Sequence, residues 1–157
     1  MDSVEIAKAL SFNYMFRGLP KEALQRLANS AKVTEYNGGD LLVRQFDSST
    51  DVLVLIEGNA ISRTFGGEVV ARFGPGSVIG EVAFLDRQKR SANVASVGTS
   101  KAIVVNSDEI WDMMEGDSVV GYSILKNLST VLCMRLRSMN EFADTAASLV
   151  SRDSGRR

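Results

Sequence analysis

Residues 33–105 are punctuated by glycine, and the runs between the breaks are short and rich in β-branched or aromatic residues. The breaks fall at Asn37-Gly38-Gly39-Asp40, Glu57-Gly58-Asn59, Gly66-Gly67 and Gly74-Pro75-Gly76. Runs of that length are poor helices, and glycine supplies the backbone freedom that chain reversal requires. The pattern predicts many short strands arranged as a sandwich or a jelly-roll barrel. Gly66-Gly67, between "AISRTF" and "EVVARF", is a candidate tight hairpin turn.

The flanks have a different texture. Residues 1–32 read as helices: Pro20 falls where a first-turn proline belongs, and Leu24, Leu27, Ala28 and Ala31 follow at helical spacing. From Ser107, a candidate N-cap, the helical period returns with Ile110, Trp111 and Met114 on one face. A longer helix is expected from Asp117 to Val150. Within it Leu132, Leu136, Met139, Ala143, Ala146 and Val150 recur at alternating steps of four and three. That is a heptad seam, extended less regularly back through Leu125 and Leu128. Such a stripe packs either on its own barrel or on a second copy, and its length favours a homodimer through residues 132–150. Residues 151–157 are polar, contain glycine, and are expected to form a flexible tail. The whole reads as one domain: N-terminal helices (1–32), a barrel (33–106), C-terminal helices (107–150) and that tail.

Composition narrows the function. Lys and Arg total 18 against 19 Asp and Glu, a net charge of -1, which argues against a surface that coats nucleic acid. The longest apolar run, Val52-Leu53-Val54-Leu55-Ile56, is far short of the ~20 residues of a membrane span. With Asp2 and Glu5 near its start, the N-terminus lacks the pattern of a secretory signal. Cys133 alone makes no internal disulfide, which suits a reducing cytoplasm, and its simplest role is a small buried residue on a helix. There is no histidine, so Ser-His-Asp triads, Cys-His pairs and histidine metal sites are excluded. No carboxylate pair stands out either. An enzyme is the disfavoured class, and no metal or cofactor is expected.

The densest stretch is "VIGEVAFLDRQKRSANVAS", residues 78–96. Val78-Ile79 reads as a buried strand, and Glu81 to Leu85 can make a helical turn directly after Gly80. Backbone amides at a helix start attract anions, of which phosphate is the commonest. Gly80 permits close backbone approach and Ala83 keeps the pocket open. Arg90 can return from the loop to the same anion with a fork of donors that matches two phosphate oxygens. Glu81 would repel a phosphate and makes sense only against a neutral donor, such as a sugar hydroxyl beside it. The plainer alternative is a surface ion pair between Glu81 and Arg87, Lys89 or Arg90.

"GEVAFL" followed by "RSANV" resembles the phosphate-binding cassette of the cyclic nucleotide-binding domain family, which includes the catabolite activator protein and the protein kinase A regulatory subunit. "FRGLPKEALQRLA", Gly39-Asp40, "VLVLIEGNAI" and "RFGPGSVIGE" fall in family order, so the resemblance covers most of residues 12–145. It implies an eight-stranded jelly-roll β-barrel with N-terminal helices and a long C-terminal helix. It also implies that Glu81 accepts a ribose 2'-hydroxyl, Arg90 binds a cyclic phosphate, Gly80, Val82 and Ala83 shape the cassette, and Ser91 sits against phosphate or base. Alignment places Asn140 near the base, where an amide serves adenine, so cAMP is expected over cGMP. The loop "DRQK" departs from the family in lacking Gly or Pro and in offering Arg87 and Lys89 as rival cations. The seven residues after Val150 are too few for a helix-turn-helix, so no DNA binding by that route is expected. The resulting expectation is a stand-alone receptor with an effector protein of unknown identity. The alternatives are a non-binding scaffold of the same fold and a sensor of another nucleotide.

Overall fold

The computed structural model describes residues 1–63 and 67–154, and the side chains of these except 142 and 145–154. Two helices open the chain, α1 (Ser3–Phe12) and α2 (Lys21–Ser30). The strands β1 (Lys32–Tyr36), β2 (Leu41–Val43), β3 (Val52–Arg63), β4 (Val69–Phe73) and β5 (Val78–Ile79) follow. A short helix α3 (Glu81–Asp86) precedes β6 (Asn93–Val105), and α4 (Ser107–Gly116) and α5 (Ser118–Ser154) close the order.

α1 begins at a capping box, in which the Asp2 carboxylate accepts from the Val4 and Glu5 amides while Glu5 reaches back to the Asp2 amide. Pro20 stands one position earlier than expected, as the N-cap of α2 rather than in its first turn. The N-cap of α4 is Asn106, whose side chain accepts from the Glu109 amide. Ser107 is instead buried, its amide donating to Asp51 at 3.0 Å.

The strands form one antiparallel sheet in the order β1-β6-β3-β4, with β2 also on β6 and β5 also on β3. Among the described residues this is six strands without closure, in place of the eight-stranded barrel expected. Glu57-Gly58-Asn59 is not a chain reversal: β3 continues through it. The register slips instead, with Leu55 opposite Ala102, Glu57 opposite Lys101 and Asn59 opposite Val97. Gly58 has a φ of 78°, and a Cβ there would lie 2.7 Å from the Ser100 Cα. β6 is continuous through Gly98 in the same way, its irregular stretch tied by Ser96 Oγ to the Gly98 carbonyl (2.8 Å) and to Ser100 Oγ (2.6 Å). Each long strand is bent by a bulge and carries two short strands along its length. β3 and β4 pair as the hairpin expectation requires. Gly66 of the expected turn lies outside the described residues.

β3 is buried on both faces. Val52 and Val54 join Ile103, Val105, Phe16, Phe84, Ile110, Ile124 and Leu128 in a core between sheet and helices. Leu53 and Leu55 join Leu42, Val43, Ile79, Val94 and Ala102 in a second core on the other face. Each fully buried side chain of this size stabilises the fold by about 1.5–3 kcal/mol.

α5 packs on the body through Val120, Ile124 and Leu128. Leu128 is therefore core and not part of the seam. Beyond it burial fades: Leu136 is 58% and Met139 68% exposed, so these two positions of the stripe do not pack on the sheet. Cys133 is exposed, contrary to the buried role expected of it, because it lies on this same stretch. The helix continues to Ser154, past the expected end at Val150, because residues 151–154, although polar, include no glycine or proline to interrupt it. Residues 155–157 and the side chains of Ala146 and Val150 lie outside the described residues.

Candidate functional site

β5 delivers the chain to Gly80, the N-cap of α3, with a φ of 93°. A Cβ there would come within 2.9 Å of the Asp51 carbonyl oxygen and closer still to the Arg90 guanidinium, so glycine is required twice over. Gly80 has no side chain to cap the first-turn amides of α3.

Arg90 approaches from the strand side, its backbone paired with the turn at Phe46 and Asp47. Its side chain turns inward and is 4% exposed. Nη1 donates to the Gly80 carbonyl at 3.0 Å, and Nη2 donates to the Asp51 carbonyl at 2.6 Å and to Ser49 Oγ at 3.4 Å. Burial pulls the Arg90 pKa below the usual arginine value, and the Asp51 and Asp47 carboxylates act against that fall.

Glu81, the first residue of α3, is 4% exposed. Its carboxylate accepts from Arg135 of α5, rather than from Arg87, Lys89 or Arg90. Arg135 Nη2 also donates to the Val78 carbonyl at 3.2 Å, and its guanidinium lies 5.7 Å from the centre of the Phe73 ring. Tyr14 lies within the influence of Arg135: burial raises its phenol above the ordinary tyrosine value, with the Arg135 charge and the Val78 backbone opposing.

The rival cation Arg87 has a separate task. It ends α3 in a left-handed conformation, pairs with Asp108 at 3.3 Å and lies 5.1 Å over the Trp111 ring. Trp111 stacks on Phe84 at 5.2 Å and donates to the Phe84 carbonyl at 3.3 Å. α3 is thereby fastened to α4.

These elements enclose a cleft of about 110 Å³. Gly80, Glu81, Val82, Ala83, Arg90 and Ser91 all line it, with Phe73 and Arg135. Asn140 does not: it is exposed on α5 beyond the cleft, and Arg135 is the α5 residue that reaches in. Sequence reasoning missed Arg135. The available signal was a buried carboxylate in need of a cation and an arginine beside the heptad seam. A guanidinium and a carboxylate on one cleft suit a ligand that carries an anion next to a neutral hydroxyl. No cluster able to hold a metal ion occurs among the described residues, nor is any described helix long and apolar enough to cross a membrane.

The family model of the cyclic nucleotide-binding domain matches residues 33–117, more than half of the chain. The chain belongs to this family. It is 28% identical over 103 residues to a cAMP-dependent protein kinase regulatory subunit of Yarrowia lipolytica, an alignment covering 66% of this chain and 27% of that protein. The chain thus spans about a quarter of that relative's length. A putative cyclic nucleotide-binding protein from Geobacter metallireducens has the same fold, with a TM-score of 0.74 at 16% identity over 83% of this chain and 97% of that one. So does the regulatory domain of Toxoplasma gondii PKA in co-crystals with cAMP, with a TM-score of 0.63 at 22% identity over 69% of this chain and 42% of that one.

Proposed function

We propose that this chain is a single-domain cyclic-nucleotide receptor, with cAMP preferred over cGMP. The observation that carries the reading is the presence of two buried, oppositely charged side chains, Glu81 and Arg90, on one cleft at the start of α3. In this reading Arg90 and the first-turn amides of α3 take the cyclic phosphate, Glu81 accepts the ribose hydroxyl, and Gly80, Val82, Ala83 and Ser91 shape the pocket. The preference for cAMP is supported by the names of the relatives and neighbours, which include cAMP-dependent kinase regulatory subunits and a domain crystallised with cAMP. Ligand capture draws α3 inward and, through Phe84, Trp111 and Arg87, shifts α4 and the helix that follows it. α5 is then repositioned for an effector protein in the cytoplasm. The exposed seam of α5 supports a homodimer.

Calorimetric titration of the nucleotide-stripped protein with cAMP and then cGMP tests this. Binding at about micromolar Kd or tighter is expected for cAMP and weaker binding for cGMP. Folded protein that gives no heat with either nucleotide is instead a non-binding scaffold or a sensor of another nucleotide.

A further inference from the structure

Glu81 is buried and its carboxylate is engaged by a residue far along the chain, on a helix that is leaving the body of the domain. Among the described residues Leu128 is the last buried one of α5, Val131 and Leu132 are half-buried, and residues 136–141 are all exposed. Between those limits Arg135 makes two polar contacts, to Glu81 and to the Val78 carbonyl, and forms a wall of the cleft. This part of α5 is therefore held largely by polar contacts and by little apolar area. The cleft it narrows, about 110 Å³, is well below the roughly 300 Å³ at which small-molecule pockets begin.

We infer that Arg135 is an internal latch: it competes with the ligand for the Glu81 carboxylate and must leave before a nucleotide can enter. The inference rests on the receptor reading above and adds a regulatory residue to it. The exchange is geometrically possible, because a carboxylate accepts from a ribose O–H as well as from a guanidinium N–H, although the ionic contact is the stronger of the two. Glu81 thus keeps a hydrogen-bond donor in both arrangements but gives up its ionic partner on opening, which favours the closed arrangement while no ligand is present. A binding-competent state that requires the latch to open lowers the apparent affinity by the fraction of molecules in which it is open. The same exchange frees the α5 segment beyond Leu128, which couples the cleft to the exposed seam.

The test uses Arg135→Ala and Arg135→Lys in the full chain, with two readouts. The first is calorimetric affinity for cAMP. The second is the mobility of a spin label on Cys133, which is exposed and is the chain's one cysteine. Arg135→Ala is expected to bind cAMP about three- to tenfold more tightly, as removal of an affinity tax of that size requires. Its label is expected to move without nucleotide as freely as the wild-type label does at saturating cAMP. Arg135→Lys, which keeps the charge but loses the fork, should fall between. Unchanged or weaker cAMP binding in Arg135→Ala overturns the competition. An unchanged label in a variant that binds cAMP overturns the latch and leaves the receptor reading standing. A released label in proteins that bind no cAMP overturns the receptor reading and leaves the latch.

Discussion

The Arg90 guanidinium has five N–H donors, and three of its contacts go to groups that hold the cleft together: the Gly80 carbonyl, the Asp51 carbonyl and Ser49 Oγ. Asp51 in turn accepts from the Ser107 amide at the start of α4, so the same side chain that would meet a phosphate also braces the wall behind it. Arg90→Ala therefore removes two things, a charge-assisted contact to ligand and the donors of two carbonyls. Loss of a buried charged partner costs about 3–5 kcal/mol, equivalent to about two decades or more of cAMP affinity. Arg90→Lys should restore part of the charge effect without the planar fork. Glu81→Ala should lose less, because its ligand contact is to a neutral hydroxyl. Titrations on variants whose circular dichroism matches wild type separate affinity from folding. An Arg90→Ala protein that folds and binds like wild type would defeat the assignment of Arg90 to the phosphate.

At the scale of elements, β3 and β6 determine the architecture, and both are longer than any run the glycine pattern suggests. Gly58 lies in β3 with positive φ, and a side chain there would meet the Thr99 carbonyl and the Ser100 Cα. Gly58→Ala is expected to destabilise by at least about 2 kcal/mol, from left-handed strain and from overpacking against backbone that cannot yield. A lowered urea midpoint at unchanged m-value would register it; an unchanged midpoint would mean the two strands do not approach as described. Gly58 also explains why the fold was only partly legible in the sequence. Glycine marks a backbone conformation, and the same φ serves a chain reversal or a bulge inside a continuous strand. Which one forms depends on the partner strand, which local sequence does not name. The cassette was legible because its parts, Gly80, Glu81, Ala83 and Arg90, lie within one short segment with a recognisable order. Arg135 was not, since its partner stands 54 positions earlier and only tertiary packing brings them together. Asn140 was placed at the base by alignment, whereas the α5 residue that reaches the cleft is more than a turn earlier.

For the molecule as a whole, the outstanding feature is a helix of 37 residues, about 55 Å long, that uses its first turns for the core and then runs on. Tyr122 and Leu125 begin an exposed apolar stripe, and Leu136 and Met139 continue it at heptad steps. Burial of Leu136 and Met139 against a second copy would contribute about 1.5–3 kcal/mol for each side chain, enough that the seam decides the oligomeric state. The double variant Leu136→Asp, Met139→Asp alters residues that touch no core, so it should fold normally and sediment as a monomer where wild type sediments as a dimer. A wild-type monomer at high protein concentration, or a variant that remains dimeric, would exclude the seam as the interface. Arg135 stands one residue before Leu136, so the latch and the seam occupy the same turn of helix. If the seam pairs only when that turn is free of the body, ligand affinity and dimer affinity must change each other by the same factor. The monomeric variant should then bind cAMP with altered affinity although neither substituted residue lines the cleft, and the sign of that change tells whether the nucleotide assembles the dimer or takes it apart.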